Sequence, residues 1–303
     1  MMKTLQPAQD YRSNAKDSLH QDIVRYYDES YWDYRTSWLN PDNLAIHYGY
    51  WDRTTRSHSD ALVNMNRALA EAAEIQPGAR VLDAGCGVGG SAIWLGERLG
   101  AHVTGITLSA SQARLAERNA RRRGVNNLVD FQVMDFCHTS FPDRSFDVIW
   151  GIESVCHALD KREFLAEAFR LLRPGGLLVC ADGYARKARY SAAEWRHIEI
   201  CLNGWQIPNL SRPEEFQQSL RDTGFTGIRF TDATSNIMPS ARRLRRIALW
   251  TYPMQKVMAW LRLRTAAQSG NFYTAMHQFH IFNEGLACYG IVVAEKPDVG
   301  SDA

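Results

Sequence analysis

The fold is decided by one stretch, Val81-Leu82-Asp83-Ala84-Gly85-Cys86-Gly87-Val88-Gly89-Gly90-Ser91. An apolar run ends in an acid, glycines crowd into a turn, and Ala92-Ile93-Trp94-Leu95 opens a helical pattern. This reads as a strand, a tight loop and a helix start. Glycine tolerates positive φ and lets a ligand lie directly on the backbone. The free N–H groups make the helix start mildly positive. Gly85, Gly87 and Gly90 fit G-x-G-x-x-G, a spacing that also fits a dinucleotide site. Such a site wants an acid about 20 residues on, closing the second strand, to hold a ribose. Here His102-Val103-Thr104-Gly105-Ile106-Thr107 runs on into Leu108-Ser109-Ala110-Ser111-Gln112, and no carboxylate is there.

Upstream, Pro77-Gly78 ends a helical pattern over residues 60–75. Before it lies an aromatic segment with Tyr26, Tyr27, Tyr31, Trp32, Tyr34 and Trp38, then His47-Tyr48-Gly49-Tyr50-Trp51. Together these predict an N-terminal helical cap over 22–75, preceded by a polar, loosely held start. Its rings either pack on the core or wall a ligand. Downstream come a helix to residue 99, the second strand, and a helix over 109–123 whose arginines suit a solvated face. A third strand ends at Asp135-Phe136. A fourth, 146–150, leads into Gly151-Ile152-Glu153-Ser154-Val155-Cys156-His157. A helix and the turn Arg173-Pro174-Gly175-Gly176 precede a fifth strand. This alternation predicts an α/β, doubly wound parallel sheet. Ligands bind such sheets at the carboxyl ends of the strands, which sets Asp83, Thr107, Asp135 and Glu153 along one edge. Beyond Gly183 the alternation stops. Two helical insertions, 185–222 and 240–284, flank a sixth strand, and a closing strand lies within 285–297. We read 1–303 as a single domain with its ligand-binding core at 76–184.

With 45% hydrophobic and 22% charged residues, the 303-residue chain can bury a large core and is not of a disordered type. A net charge of +2 gives no reason to expect a nucleic acid. The six cysteines show no C-x-x-C pair and no zinc spacing. Several sit in apolar runs, so buried thiols in a reducing compartment are expected. The first residues lack the apolar core of a signal peptide. No eighteen-residue apolar run suggests a membrane span. The expectation is a cytoplasmic protein acting on a small molecule, with no metal-ligand cluster.

In the order Asp83-x-Gly85-x-Gly87, Gly105-Ile106-Thr107-Leu108-Ser109-x-x-Gln112, Asp135, Glu153 with His157, and Pro174-Gly175-Gly176, the chain resembles a class I S-adenosylmethionine-dependent methyltransferase. It is most similar to the branch with tocopherol-type, sterol C- and prenyl diphosphate C-methyltransferases and cyclopropane fatty acid synthases. The resemblance covers roughly residues 22–297 and implies a Rossmann-like sheet with S-adenosylmethionine as cofactor. Carried over by position, Gly85, Gly87 and Gly90 would line the methionine end, with Asp83 closing the strand before them. Thr107 and Gln112 would meet the ribose in place of the usual acid. Asp135 would accept from the adenine amine, with Phe136 beside the ring, and Tyr26 and Tyr27 would close over the sulfonium. A non-catalytic binding module would bind the cofactor without turnover, and the complete set of cofactor positions argues against it; the missing ribose acid argues against a dinucleotide oxidoreductase.

A methyl group on a sulfonium is already activated, so the protein mainly aligns the nucleophile and excludes water. Glu153 follows the fourth strand, and in sterol and tocopherol relatives a glutamate holds the matching place. It is expected to stabilise a cation or act as a base, with His157 as the second catalytic candidate. Aromatic rings such as Tyr50 and Trp51 suit an apolar acceptor. Arg242-Arg243-Leu244-Arg245-Arg246 reads in three ways: a diphosphate clamp through Arg242 and Arg246, a contact with an anionic membrane surface, or a solvated helix face. The leading expectation is C-methylation of an isoprenoid, such as geranyl or farnesyl diphosphate, with Mg2+ expected if a diphosphate is bound. Cyclisation of the resulting cation is left open. The alternative is O- or N-methylation of an aromatic, tocopherol-like or alkaloid-like metabolite.

Overall fold

The computed structural model describes residues 3–4, 13–37 and 43–298. Seven strands form one sheet: β1 (Arg80–Ala84), β2 (His102–Thr107), β3 (Val129–Val133), β4 (Phe146–Ile152), β5 (Leu172–Ala185), β6 (Thr226–Asp232) and β7 (Ala287–Glu295). Their order is β3-β2-β1-β4-β5-β7-β6. The pairs among β1 to β5 are parallel. β7 inserts antiparallel between β5 and β6. The sheet is therefore mixed: the strands that alternate with helices are parallel, as expected, and β7, beyond the end of that alternation, is reversed. The reversal follows from the chain's path: α9 (Ala266–Asn283) ends at the carboxyl edge, and Glu284-Gly285 turns the chain back through the sheet.

Successive residues on each strand serve opposite faces. Val81, Val148 and Val179 join one apolar core with Leu69, Trp150 and Ile237. Leu82, Ile149 and Leu178 join the other with Phe164 and Leu220. Helices α3 (Gly90–Leu99), α4 (Ala110–Arg123) and α5 (Lys161–Leu171) are the crossovers of the doubly wound half. All six cysteines are buried and free.

The cap differs from the sequence reading in three places. Helix α1 (Ser13–Ser37) starts well before residue 22, and its first turns reach the ligand edge. Helix α2 (His58–Ala72) is started by Ser57, whose side chain accepts from the Asp60 N–H. In the first insertion only α6 (Ala192–Gly204) lies over the edge. α7 (Pro213–Thr223) buries Phe216 and Leu220 in the sheet's second core. The second insertion forms α8 (Thr234–Trp260) and α9, and α9 packs against α1, α6 and α8. Trp32 lies among side chains, and Trp38 among residues, outside those described.

Candidate active site

Two cavities open at the carboxyl edge, where the chain crosses from β1 to opposite faces on reaching β2 and β4. The smaller, about 110 Å³, lies against the glycine turn. The larger, about 460 Å³, lies under α6, α8 and α9. Tyr27, Ile46, Glu153 and His157 line both and form a common wall.

The smaller cavity gathers Asp83, Gly85, Gly87, Gly90, Thr107, Gln112, Asp135 and Phe136. Asp83 is buried at the end of β1. The Ala92 N–H donates to its carboxylate, and burial pushes the carboxyl up to about 7. Its Oδ2 and the Ser154 hydroxyl are buried without a hydrogen-bond partner among the described residues. Buried polar groups left in this state cost about 1–3 kcal/mol each, so both atoms suit a polar ligand. Gly85 has φ +91°, and a Cβ there would come within 2.4 Å of the Ser154 Cβ. The turn itself depends on Gly89, which the sequence reading passed over: it has φ +87° and sits against Phe131 at the start of α3. Gly90 serves a different end, because a Cβ there would strike the backbone oxygens of Asn43 and Leu44.

Thr107 Oγ1 donates to Gln112 Oε1 at 2.8 Å, so the two side chains meet the cavity as a unit. Asp135 Oδ1 accepts the Cys137 N–H at 2.8 Å, and its Oδ2 faces Lys16 Nζ at 3.2 Å. Phe136 is edge-on to Phe164. Lys16 lines this cavity and Asp28 braces Ser109, which lines it; the sequence advertises neither. Both lie on α1, and Asp28 accepts from the Ser109 and Ser111 hydroxyls at 2.8 and 2.5 Å. These contacts hold α1 across the cavity.

Glu153 sits on the common wall with φ +50°, a left-handed conformation that costs a residue with a Cβ about 1–2 kcal/mol. Its Oε1 accepts the Tyr48 N–H at 2.7 Å and the Tyr289 hydroxyl at 2.9 Å. Burial pushes the carboxyl up to about 8 against these two donors, and the nearby Asp182 carboxyl adds to the rise. His157 lies in the short turn Val155–His157. Its Nδ1 is 3.1 Å from the Gln206 carbonyl oxygen, an acceptor only, so Nδ1 carries the hydrogen. Nε2 therefore accepts from the Tyr27 hydroxyl at 2.9 Å. Burial lowers His157 to about 4, which keeps the ring neutral near pH 7.

The larger cavity is walled mainly by rings and aliphatic chains, among them Tyr26, Tyr34, Tyr48, Trp205, Phe282 and Tyr289. Arg264 is the one Lys or Arg among the described residues that line it, and it is paired through two nitrogens with Asp33 at 3.2 and 2.7 Å. The four expected acceptor residues lie elsewhere. Arg242 and Arg246 are exposed on the outer side of α8, and Arg242 lies over the Phe279 ring. Tyr50 and Trp51 line neither cavity. The Tyr50 N–H donates to the Ala61 carbonyl, and the Trp51 indole N–H donates to Ser240 on α8. Within that aromatic segment it is Tyr48 that turns inward, where its hydroxyl donates to Gln278 Oε1 at 2.6 Å and its ring packs edge-on to Trp205, Phe282 and Tyr289.

A sheet with one reversed strand carries at its edge two cavities with a shared wall, the smaller set with buried carboxyl and hydroxyl groups and the larger walled by rings, an arrangement suited to bringing two ligands together. Residues 82–180 match the family described as methyltransferase domain. A 27-O-demethylrifamycin SV methyltransferase of Amycolatopsis mediterranei (strain S699) is 30% identical over 260 residues, covering 84% of this chain and 90% of that protein. The methyltransferase GfsG of Streptomyces halstedii is 37% identical over 168 residues, and the match spans 55% of this chain and only 59% of that protein. The crystal structure of the [4+2]-cyclase SpnF superposes with a TM-score of 0.75 at 26% identity, covering 92% of this chain and 96% of that one. Relatives of the tocopherol and sterol types match as well. The chain belongs to the class I S-adenosylmethionine-dependent methyltransferases, and S-adenosylmethionine is its cofactor. The smaller cavity fits that molecule: a glycine floor, a buried carboxylate oxygen without a partner among the described residues, and the Thr107 hydroxyl joined to the Gln112 amide just past the end of β2.

Proposed function

We propose that this enzyme methylates a hydroxyl or phenol on a bulky, uncharged, apolar metabolite. The carrying observation is the Tyr27–His157 pair on the wall common to both cavities. The cofactor supplies a methyl group activated as a sulfonium. Asp83 and Ser154 would bind its amino-acid end, Thr107 and Gln112 its ribose, and Asp135 with Phe136 its adenine. The glycine turn would let it approach the backbone, and the Tyr27 ring would lie beside the cation. His157 is neutral, and its Nε2 lone pair faces Tyr27, so it takes the acceptor's proton directly or through the Tyr27 hydroxyl. The apolar walls exclude water from the transfer. The rifamycin relative, whose name places its methyl group on oxygen, supports the same reading.

A diphosphate acceptor is less well supported. It would meet carboxyls at Glu153 and Asp182 and a guanidinium already paired with Asp33, while Arg242 and Arg246 lie outside. The reason to expect magnesium goes with it. One observation favours a second reading, C-methylation of an uncharged alkene: the Glu153 carboxyl faces a box of aromatic rings suited to a carbocation. The test is incubation with methyl-labelled S-adenosylmethionine against a phenol, a hydroxylated polyketide, a sterol and farnesyl diphosphate, with products read by mass spectrometry and NMR. Label as O-methyl supports the first reading and label as C-methyl the second. Label only in the diphosphate product refutes both.

A further inference from the structure

Helix α8 has two working sides. Its inner side, with Leu244, Ile247, Ala248 and Thr251, lines the larger cavity. Its outer side is unlike the surface of an ordinary water-facing helix. Trp250 is 88% exposed and Trp260 81%, and Leu249, Val257, Leu261 and Leu263 are exposed beside them. Arg242, Arg245, Arg246, Lys256 and Arg262 are exposed on the same helix and the turn after it. No aspartate or glutamate occurs anywhere in residues 233–283. Met254 joins the two sides: it is 54% exposed and also lines the cavity. The apolar patch and the acceptor cavity thus share a wall at this point.

We propose that this face of α8 docks on an anionic phospholipid bilayer, with Trp250 and Trp260 at the headgroup level and the arginines against lipid phosphates, so that apolar acceptors enter from the membrane past Met254. Contiguous exposed apolar surface of this kind marks an interaction site. Tryptophan prefers the membrane interface, where its ring is buried and its N–H stays wet. Charge selects the occupant. A two-fold pairing of this face with a second copy would set arginine against arginine, with no acid in the segment to offset them. An anionic lipid surface complements every charge on it. No helix among the described residues is long and apolar enough to cross a membrane, so the contact is one that lies on the surface. The proposal does not depend on which atom is methylated.

The test is co-sedimentation of the full chain with phosphatidylcholine vesicles, with and without phosphatidylglycerol, at low and high salt. The expected result is binding that needs the anionic lipid and falls as salt rises. Arg242→Gln with Arg246→Gln should weaken it roughly 25-fold, about fivefold per charge. Trp250→Ser with Trp260→Ser should weaken it at least ~10-fold. Cofactor affinity by calorimetry should stay at the parent value in both variants, since these side chains reach neither cavity. Absence of vesicle binding overturns the proposal, as does equal binding to neutral vesicles. Self-association that the tryptophan substitutions abolish, without vesicle binding, assigns the face to a second copy and also overturns it.

Discussion

Replacing Glu153 by Gln removes an ionisable group from the common wall while keeping its shape and an acceptor for the Tyr48 N–H and the Tyr289 hydroxyl. Burial pushes this carboxyl up to about 8 from its ordinary 4.5. The folded protein therefore holds a proton that the unfolded chain releases between about pH 4.5 and pH 8. The folded state binds more protons over that window, so stability falls as pH rises. One pKa unit corresponds to about 1.4 kcal/mol. Integrated from about pH 5 to pH 8, the Glu153 contribution falls by about 2.5–3.5 kcal/mol. Asp83, pushed up to about 7, acts in the same direction, while His47, His58 and His157, lowered to about 4, act oppositely below about pH 6.5. Subtracting the curve of Glu153→Gln from that of the parent cancels these terms where the sites do not couple. Urea unfolding followed by tryptophan fluorescence should show the parent losing that amount relative to the variant across the window. Parallel curves, within ~0.5 kcal/mol throughout, would mean that the carboxyl is ionised and solvated in the folded protein, and the reasoning would fail. Above about pH 8, where the carboxyl is ionised and able to take a proton in the reaction, the same variant should lose turnover roughly 100-fold or more relative to the parent while cofactor affinity holds. Near-normal turnover would leave Glu153 a positioning role only.

Four further outcomes are expected. Asp83→Ala or Gly87→Val should abolish cofactor binding in calorimetry, since the first removes the buried carboxylate and the second forces a β-branched residue to φ +53°; parent-like affinity in both would refute the assigned cofactor cavity. His157→Ala should cut turnover roughly 100- to 1,000-fold with cofactor affinity unchanged. Because burial holds His157 near 4, the parent's turnover should show no histidine-type rise between about pH 5 and pH 7.5, and such a rise would count against a permanently neutral base. Ala248→Phe, on the cavity side of α8, should lower kcat/KM for a bulky acceptor at least ~10-fold with little change in cofactor affinity, as expected when filling a cavity removes acceptor binding alone; an unchanged kcat/KM would move the acceptor site elsewhere.

The parts of this protein that can be read from the chain are those set by local chemistry. A glycine turn after an apolar run, a strand ending in Thr107 rather than an acid, and Glu153 just past the fourth strand each depend on few neighbours. They point to the cofactor edge without a structure. The reversal of β7 is not local: a run such as Ile291-Val292-Val293-Ala294 looks the same in either direction, and only the end point of α9 sets its sense. The acceptor side shows the same limit. His47-Tyr48-Gly49-Tyr50-Trp51 is visibly aromatic, yet which ring turns inward depends on hydrogen bonds to Ala61, Asn236 and Ser240, far along the chain. The arginines of α8 have the composition of a diphosphate clamp, but helical phase puts Leu244 and Ile247 toward the cavity and Arg242 and Arg246 toward water. Lys16, Asp28 and Gln206 gave no sign in sequence, because each reaches the site across a tertiary contact. Cofactor chemistry was thus legible in short motifs that bind through backbone and strand ends, whereas acceptor recognition arises where α1, α6, α8 and α9 converge, and only packing decides which of their faces meet.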